Sequence, residues 1–259
     1  MKLCIRILCA TLPFAAAYAS AWAMPIRAIT SATVENWSLT IPTDYPHTEW
    51  LVEEAVILDM SKVLSLIARA RYGSPSSSIP YGGLGAGLSY VFAPGLYADL
   101  LYTALLSSRS GAYSSEAESS LNYETERYYV GLRERFRFDA SAYSSYSTAF
   151  GRYIFLKQLA LWSSYTLAFD STLKLDHAYW GYIEISPATL LSFTLGGTVY
   201  SFNILNPITE RTQGLGESLI AGLALRPKKG LSFKYQFEYF LGERDWNKTT
   251  HTLVADIRL

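Results

Sequence analysis

Three arginines, Arg133, Arg135 and Arg137, recur at every second position of the stretch Tyr128–Phe138. Successive side chains of an extended chain point to opposite faces, so this spacing puts three guanidinium groups in one column on one face of a strand. A column of permanent cations has two uses. Facing an aqueous pore, it forms an anion-attracting constriction or a charged gate, because rings of Arg or Lys select anions. Facing carboxylates, it becomes a structural ion-pair network that fills a narrow lumen, and Asp99, Glu238 and Asp256 are the acids the sequence offers for that role.

Hydrolytic chemistry would need a base held by an orienting partner. The chain has three histidines, His47, His177 and His251. His177 follows Asp176 and lies near Asp170, and His251 lies near Asp245. Adjacency in sequence does not supply catalytic geometry, so a rim hydrolase built on His177 is the weakest functional reading and no enzyme activity is expected. Gly83, Gly85 and Gly87 spell a G-x-G-x-G pattern, which binds phosphate only at a strand-to-helix turn. Here the glycines alternate with Leu84, Ala86 and Leu88, a pattern that relieves crowding or allows curvature in a strand. Cys4 and Cys9 both lie in the first 23 residues, which leaves the rest without a disulfide, thiolate site or thiol nucleophile. No metal-ligand spacing or nucleotide motif is present, so no cofactor is expected. Asn36-Trp37-Ser38 and Asn247-Lys248-Thr249 match a glycosylation acceptor pattern and are given no weight. With 22 basic and 22 acidic side chains, the chain lacks the basic excess on which nucleic-acid binding leans.

The elements that must position these residues begin after residue 23. Lys2 and Arg6, an apolar run from Ile7 to Ala19, and the small residues Ala21 and Ala23 have the order of a secretory signal peptide over 1–23, cut after Ala23, with a cut after Ala19 as the alternative. Downstream, no segment approaches the length of a helical membrane span: Leu51–Leu66 is broken by Glu53, Glu54, Asp59 and Lys62. The hydrophobicity is distributed by alternation instead. Leu231, Phe233, Tyr235, Phe237, Tyr239 and Leu241 oppose Ser232, Lys234, Gln236, Glu238 and Phe240. The same contrast recurs along 83–92, 95–106, 125–138 and the last residues, where Leu253, Ala255 and Ile257 oppose Val254, Asp256 and Arg258; Glu134 alone breaks the apolar face of 125–138.

Tight connectors, such as Phe92-Ala93-Pro94-Gly95, Ser186-Pro187-Ala188 and Arg226-Pro227-Lys228-Lys229-Gly230, carry Pro or Gly turn chemistry. Longer polar segments lie between them: 73–82, 107–123, 203–216 and 242–248. Short turns on one side and long loops on the other mark a transmembrane barrel. The fold expected is all-β, a closed antiparallel transmembrane β-barrel over 63–259 of about ten strands, within a range of about 8 to 12. The strands are 63–72, 83–92, 95–106, 125–138, 159–169, 177–185, 189–202, 217–225, 231–241 and 249–259. Residues 24–62 are a periplasmic lead-in or an extra strand pair, 34–41 with 51–58. Tyr146, Ala149, Phe150 and Tyr153 recur at helical spacing, which predicts a short periplasmic helix over 144–157.

The face opposite the apolar one carries both signs of charge: Arg69, Arg71, Asp99, Arg133, Arg135, Arg137, Lys234, Glu238, Asp256 and Arg258 are the lumen-facing candidates. A soluble barrel or sandwich would turn its apolar face inward; here that face is set to meet lipid, with Tyr72, Tyr90, Phe92, Tyr128, Phe136, Phe138 and Phe202 as interfacial girdle residues. The signal peptide, amphipathic strands and loop asymmetry resemble bacterial outer-membrane β-barrel proteins in general, of the small porin-like or OmpA/OmpW-like kind, although many of those end in Phe or Trp where this chain ends in Leu259. The resemblance implies an outer-membrane location, lipid and the barrel-assembly machinery as partners, and no nucleic acid. Three functions follow in order: a narrow pore or transporter for small or apolar solutes; a plugged barrel anchoring surface loops (107–123, 203–216) for adhesion or another extracellular ligand; and the rim hydrolase.

Overall fold

In the computed structural model, residues 25–39, 48–74, 81–107, 113–138, 142–171, 175–201, 215–241 and 246–258 are described. They form fourteen strands: β1 (Ile26–Leu39), β2 (Thr48–Asp59), β3 (Leu64–Ser74), β4 (Tyr81–Ala93), β5 (Leu96–Ser107), β6 (Tyr113–Glu124), β7 (Tyr128–Phe138), β8 (Tyr143–Leu156), β9 (Leu159–Asp170), β10 (Leu175–Ala188), β11 (Leu191–Ser201), β12 (Leu215–Lys228), β13 (Leu231–Leu241) and β14 (Trp246–Arg258). Each pairs antiparallel with its neighbour in sequence, and β14 pairs with β1 from Arg27 opposite Arg258 to Leu39 opposite Trp246. The sheet therefore closes, and no edge is left with unpaired backbone groups.

The barrel architecture matches the expectation, and the strand count does not. Fourteen strands exceed both the ten assigned and the upper limit of twelve. The additional strands are β1, β2, β6 and β8. Residues 26–39 and 48–59 are a hairpin of the barrel wall rather than a lead-in. The segment read as a loop over 107–123 holds β6, whose convex face carries only small residues at Ser115, Ala117 and Ser119. The helix expected over 144–157 is β8, hydrogen-bonded to β7 and β9 along nearly its whole length. Its large apolar residues sit on both faces, Tyr146 and Phe150 on one and Tyr153 on the other, which cancels the period-two contrast and leaves an accidental helical spacing.

The tight connectors fall at one end of the barrel, together with Ile26 and Arg258. At Pro94–Gly95 and Lys229–Gly230 the turn glycine has a positive φ of 80° and 81°, a backbone region where a side chain is strained. The irregularities of the ladder also gather there, between Val91 and Ala93, Ile154 and Leu156, Ile185 and Ala188, and Leu225 and Lys228. Bulges of this kind are common at barrel rims, where they help strands turn into their hairpins. Residues 1–23, expected to be a signal peptide, and residues 75–80, 202–214 (with Phe202) and 242–245, expected in loops or at a strand end, lie outside the described residues.

Which face is the lumen is decided by contacts between strands that are not neighbours. Side chains converge on the concave side of a curved wall and diverge on the convex side. Arg71 on β3 reaches Glu116 on β6 at 2.9 Å, and Arg226 on β12 reaches Glu184 on β10 at 3.1 Å, so their face is the concave one. The convex face carries exposed apolar side chains, with Leu84 74% and Leu195 69% accessible. Such a belt suits hydrocarbon surroundings. Aromatic pairs stand on it near the ends of strands: Tyr90 with Phe92 at 5.0 Å and Tyr153 with Phe155 at 4.6 Å by the tight turns, and Trp50 with Tyr72 at 5.2 Å at the other end.

Candidate functional site

Fourteen strands at a spacing near 4.8 Å and a tilt near 40° enclose a wall about 28 Å across between backbones, against about 20 Å for ten. A lumen of ten strands would be little wider than its own side chains. The wider one leaves room for wall chemistry, and the inward side chains sort into a charged cluster, an aromatic arc and the arginine column.

The charged cluster covers β2 to β7. Arg71 pairs with Glu53 of β2 and Glu116 of β6, and Arg69 lies 3.7 Å from each of Glu53, Glu116 and Glu118. These side chains pass over β4 because Arg69 and Arg71 stand opposite Gly85 and Gly83 in the register. A Cβ at Gly85 would sit 2.6 Å from Thr103 Oγ1 and 2.8 Å from the Tyr102 carbonyl, so the glycine also lets β5 pack closely. Thr103 is 1% exposed, and its neighbours Leu101 and Leu105 are buried too. A second cluster centres on Glu184, which accepts hydrogen bonds from Trp162 Nε1 at 2.9 Å and Arg226 at 3.1 Å and lies 3.8 Å from Arg152.

The aromatic arc is built by register. Tyr129 of β7 pairs with Arg152 of β8, Arg152 with Trp162 of β9, and Trp162 with Tyr182 of β10. Direct opposition across three ladders lines these inward side chains along one row of the wall. Phe150 and Trp180 extend it by one position on the same face. Ring centroids lie 5.4 Å apart for Tyr129–Phe150, 6.2 Å for Tyr129–Trp162, 5.7 Å for Trp162–Tyr182 and 5.2 Å for Trp180–Tyr182. Arg152 lies over the Trp162 ring at 5.2 Å. Such spacings are those of favourable aromatic pairs and cation–π contacts. Gly131 stands opposite Phe150, and any side chain there would collide with the ring, so the glycine lets Phe150 lie against the wall beside Tyr129.

The arginine column shares the inward face of β7. Arg133 has Glu118 at 3.9 Å and lies over Phe150 at 5.5 Å, with half of its side chain exposed. Arg135 lies over the Tyr146 ring at 4.4 Å. Arg137 follows at the next inward position and is exposed. The acids expected to pair with the column are occupied elsewhere. Asp99 accepts from Ser120 at 2.9 Å and Asn122 at 3.3 Å, Asp256 binds Arg27 through two bonds of 2.8 and 2.9 Å, and Glu238 accepts from Ser218 and Thr198. Lys234 and Arg258 share the face of Glu238 and Asp256, Lys234 opposite Val254 and Arg258 opposite Arg27. The cluster acids Glu53, Glu116 and Glu118 escaped the sequence reading because 24–62 reads as either a lead-in or a strand pair and 107–123 reads as a loop; Arg152 escaped because β8 was read as helix. The arc had no signal along the chain, since its members sit on four strands.

The hydrolase reading loses its geometry. Asp176 is buried on the inward face while His177 points outward, its ring 6.5 Å from that of Tyr165. His251 is also outward, bonded to the Tyr235 hydroxyl at 2.9 Å. Among the described residues no group of three His, Asp or Glu side chains could hold a metal.

No protein-family model matches the chain, and no curated protein matches it in sequence. Solved structures do match. The CymD monoaromatic hydrocarbon channel superposes with a TM-score of 0.62 at 10% identity, over 90% of this chain and 88% of that one. The Ralstonia pickettii toluene transporter TbuX gives 0.62 at 9% identity, over 90% and 89%. A Pseudomonas aeruginosa FadL homologue gives 0.57 at 10% identity, over 90% of both chains. The likeness is one of fold. These neighbours are bacterial outer-membrane β-barrels, and cargo has to be argued from this chain's own lumen.

Proposed function

We propose that the protein is an outer-membrane channel for small apolar solutes, aromatic ones among them. The observation that carries this reading is the aromatic arc Tyr129, Phe150, Trp162, Tyr182 on the inward face. A water-filled passage offers an apolar solute nothing, whereas a row of rings offers stacking and dispersion contact at successive positions. Multiple weak sites let a solute enter and leave again, which transport requires. The structural neighbours described as hydrocarbon channel and toluene transporter support the same class. In this reading residues 1–23 direct export, the barrel-assembly machinery inserts the chain, and the convex belt meets outer-membrane lipid.

The test is uptake of radiolabelled toluene by intact cells of a host without its own aromatic transporter. Expression should raise the initial rate several-fold, and Phe150→Ala/Trp162→Ala should remove most of the gain while folding stays intact. An initial rate equal to that of the empty host would refute the proposal.

A further inference from the structure

The arginine column has no purpose in a passage for neutral hydrocarbons, yet it stands directly beside the arc. Gly131 faces Phe150, and Arg133 is the next inward residue on β7, so its guanidinium folds back over the Phe150 ring at 5.5 Å. Two cations of the column, Arg133 and Arg135, are incompletely satisfied. The carboxylate 3.9 Å from Arg133 belongs to Glu118, which Arg69 also approaches at 3.7 Å. Arg135 has the Tyr146 ring at 4.4 Å, and among the described residues no carboxylate lies in ion-pair range of it. Glu184, the acid nearest the arc, is already engaged by Trp162 and Arg226. This stretch of wall thus pairs a row of rings with the guanidinium groups of Arg133 and Arg135.

Building on the channel reading above, we infer that the preferred solute is an aromatic carboxylate, its ring against Phe150, Tyr129 and Trp162 and its carboxylate on Arg133 and Arg135. A planar guanidinium binds a carboxylate through two parallel hydrogen bonds, and stacking on an aromatic ring leaves its edge N–H groups free to donate. The geometry needed is a ring and a carboxylate joined directly or through one or two carbons, because arc and column are one inward residue apart on β7. A neutral arene uses the arc alone and a small aliphatic anion uses the column alone, so both pass less well.

Two assays on the full mature chain separate this inference from the reading beneath it. In planar bilayers, reversal potentials under sodium benzoate against sodium chloride, and sodium acetate against sodium chloride, give permeability ratios. Benzoate should exceed both acetate and chloride despite its size. Arg133→Ala/Arg135→Ala should lower the benzoate ratio at least fivefold, and Arg133→Lys/Arg135→Lys, which keeps the charge without the planar fork, should fall between. Phe150→Ala/Trp162→Ala should erase the preference of benzoate over acetate and leave anion over cation selectivity. Heat-modifiable gel mobility shows that each variant is folded. Benzoate no more permeant than acetate, a benzoate ratio unchanged in Arg133→Ala/Arg135→Ala, or bilayers that carry no benzoate current would overturn the inference. Toluene uptake by cells is read separately: if it persists, the channel reading stands without the carboxylate, and if it too is absent, both fall.

Discussion

Gly131 on β7 and Phe150 on β8 face each other across one ladder position, and the absence of a side chain on the first is what lets the ring of the second lie along the barrel wall. From there Phe150 contacts Tyr129 and the guanidinium of Arg133. One backbone position therefore couples the arc to the arginine column. Gly131→Ala should force the ring to tilt, at a cost of about 1 to 3 kcal/mol for an overpacked site. Phe150→Ala in the same chain should recover most of that cost. Urea unfolding of the folded barrel in lipid vesicles measures both, and additive effects of the two changes would show that the ring and the glycine are not in contact.

Arg71 should be the most sensitive cation of the lumen. It bridges Glu53 and Glu116, and Glu116 is itself buried. Arg71→Ala leaves two carboxylates facing one another with only Arg69 nearby, which predicts a loss of about 3 kcal/mol or more. Arg71→Ala/Glu116→Ala should cost clearly less than the sum of the single changes, because the uncompensated charge goes with its partner. The same unfolding titration decides it.

Glu134 predicts the opposite sign. It lies on the convex face between Leu132 and Phe136 and accepts a hydrogen bond from Ser147 Oγ at 2.7 Å. A carboxylate facing lipid opposes insertion, less strongly than a cation does. Glu134→Leu should stabilise the barrel by about 1 kcal/mol. Destabilisation instead would indicate that this part of the wall meets a polar partner and not lipid.

Orientation follows from the tight turns. With Cys4 and Cys9, both within residues 1–23, replaced by serine, single introduced cysteines report without background. Gln158→Cys, in the β8–β9 turn, should react with an impermeant maleimide only after the outer membrane is opened. Thr48→Cys, at the far end of β2, should react on intact cells. Labelling in the reverse order would invert the barrel.

How much of this was legible beforehand varies by strand. β13 announces itself, because Phe233, Tyr235, Phe237 and Tyr239 fall on one face and Lys234, Gln236 and Glu238 on the other. β6 does not: in its outward row Ser115, Ala117 and Ser119 are small and only Leu121 and Tyr123 are large, while its inward residues include Glu116, Glu118, Ser120 and Asn122, so it reads as a polar loop. β8 misleads in another way, since a lumen lined with rings puts Tyr146 and Phe150 where polar residues were expected. In both cases the period-two contrast fails because the two faces of the wall have similar polarity, one by being small and polar outward, the other by being aromatic inward.

The sequence by itself determined the class of fold and the sharing of faces within each strand, because alternation is a property of neighbouring residues in one extended segment. It placed Arg133, Arg135 and Arg137 in a single column. Only the tertiary structure decided the number of strands, the partners of that column and the existence of the arc. Tyr129, Arg152, Trp162 and Tyr182 come into one row through the register of three separate ladders. A register is fixed by turn geometry and by the hydrophobic pattern of the paired strands, so a one-residue shift in any of these three ladders would break the row.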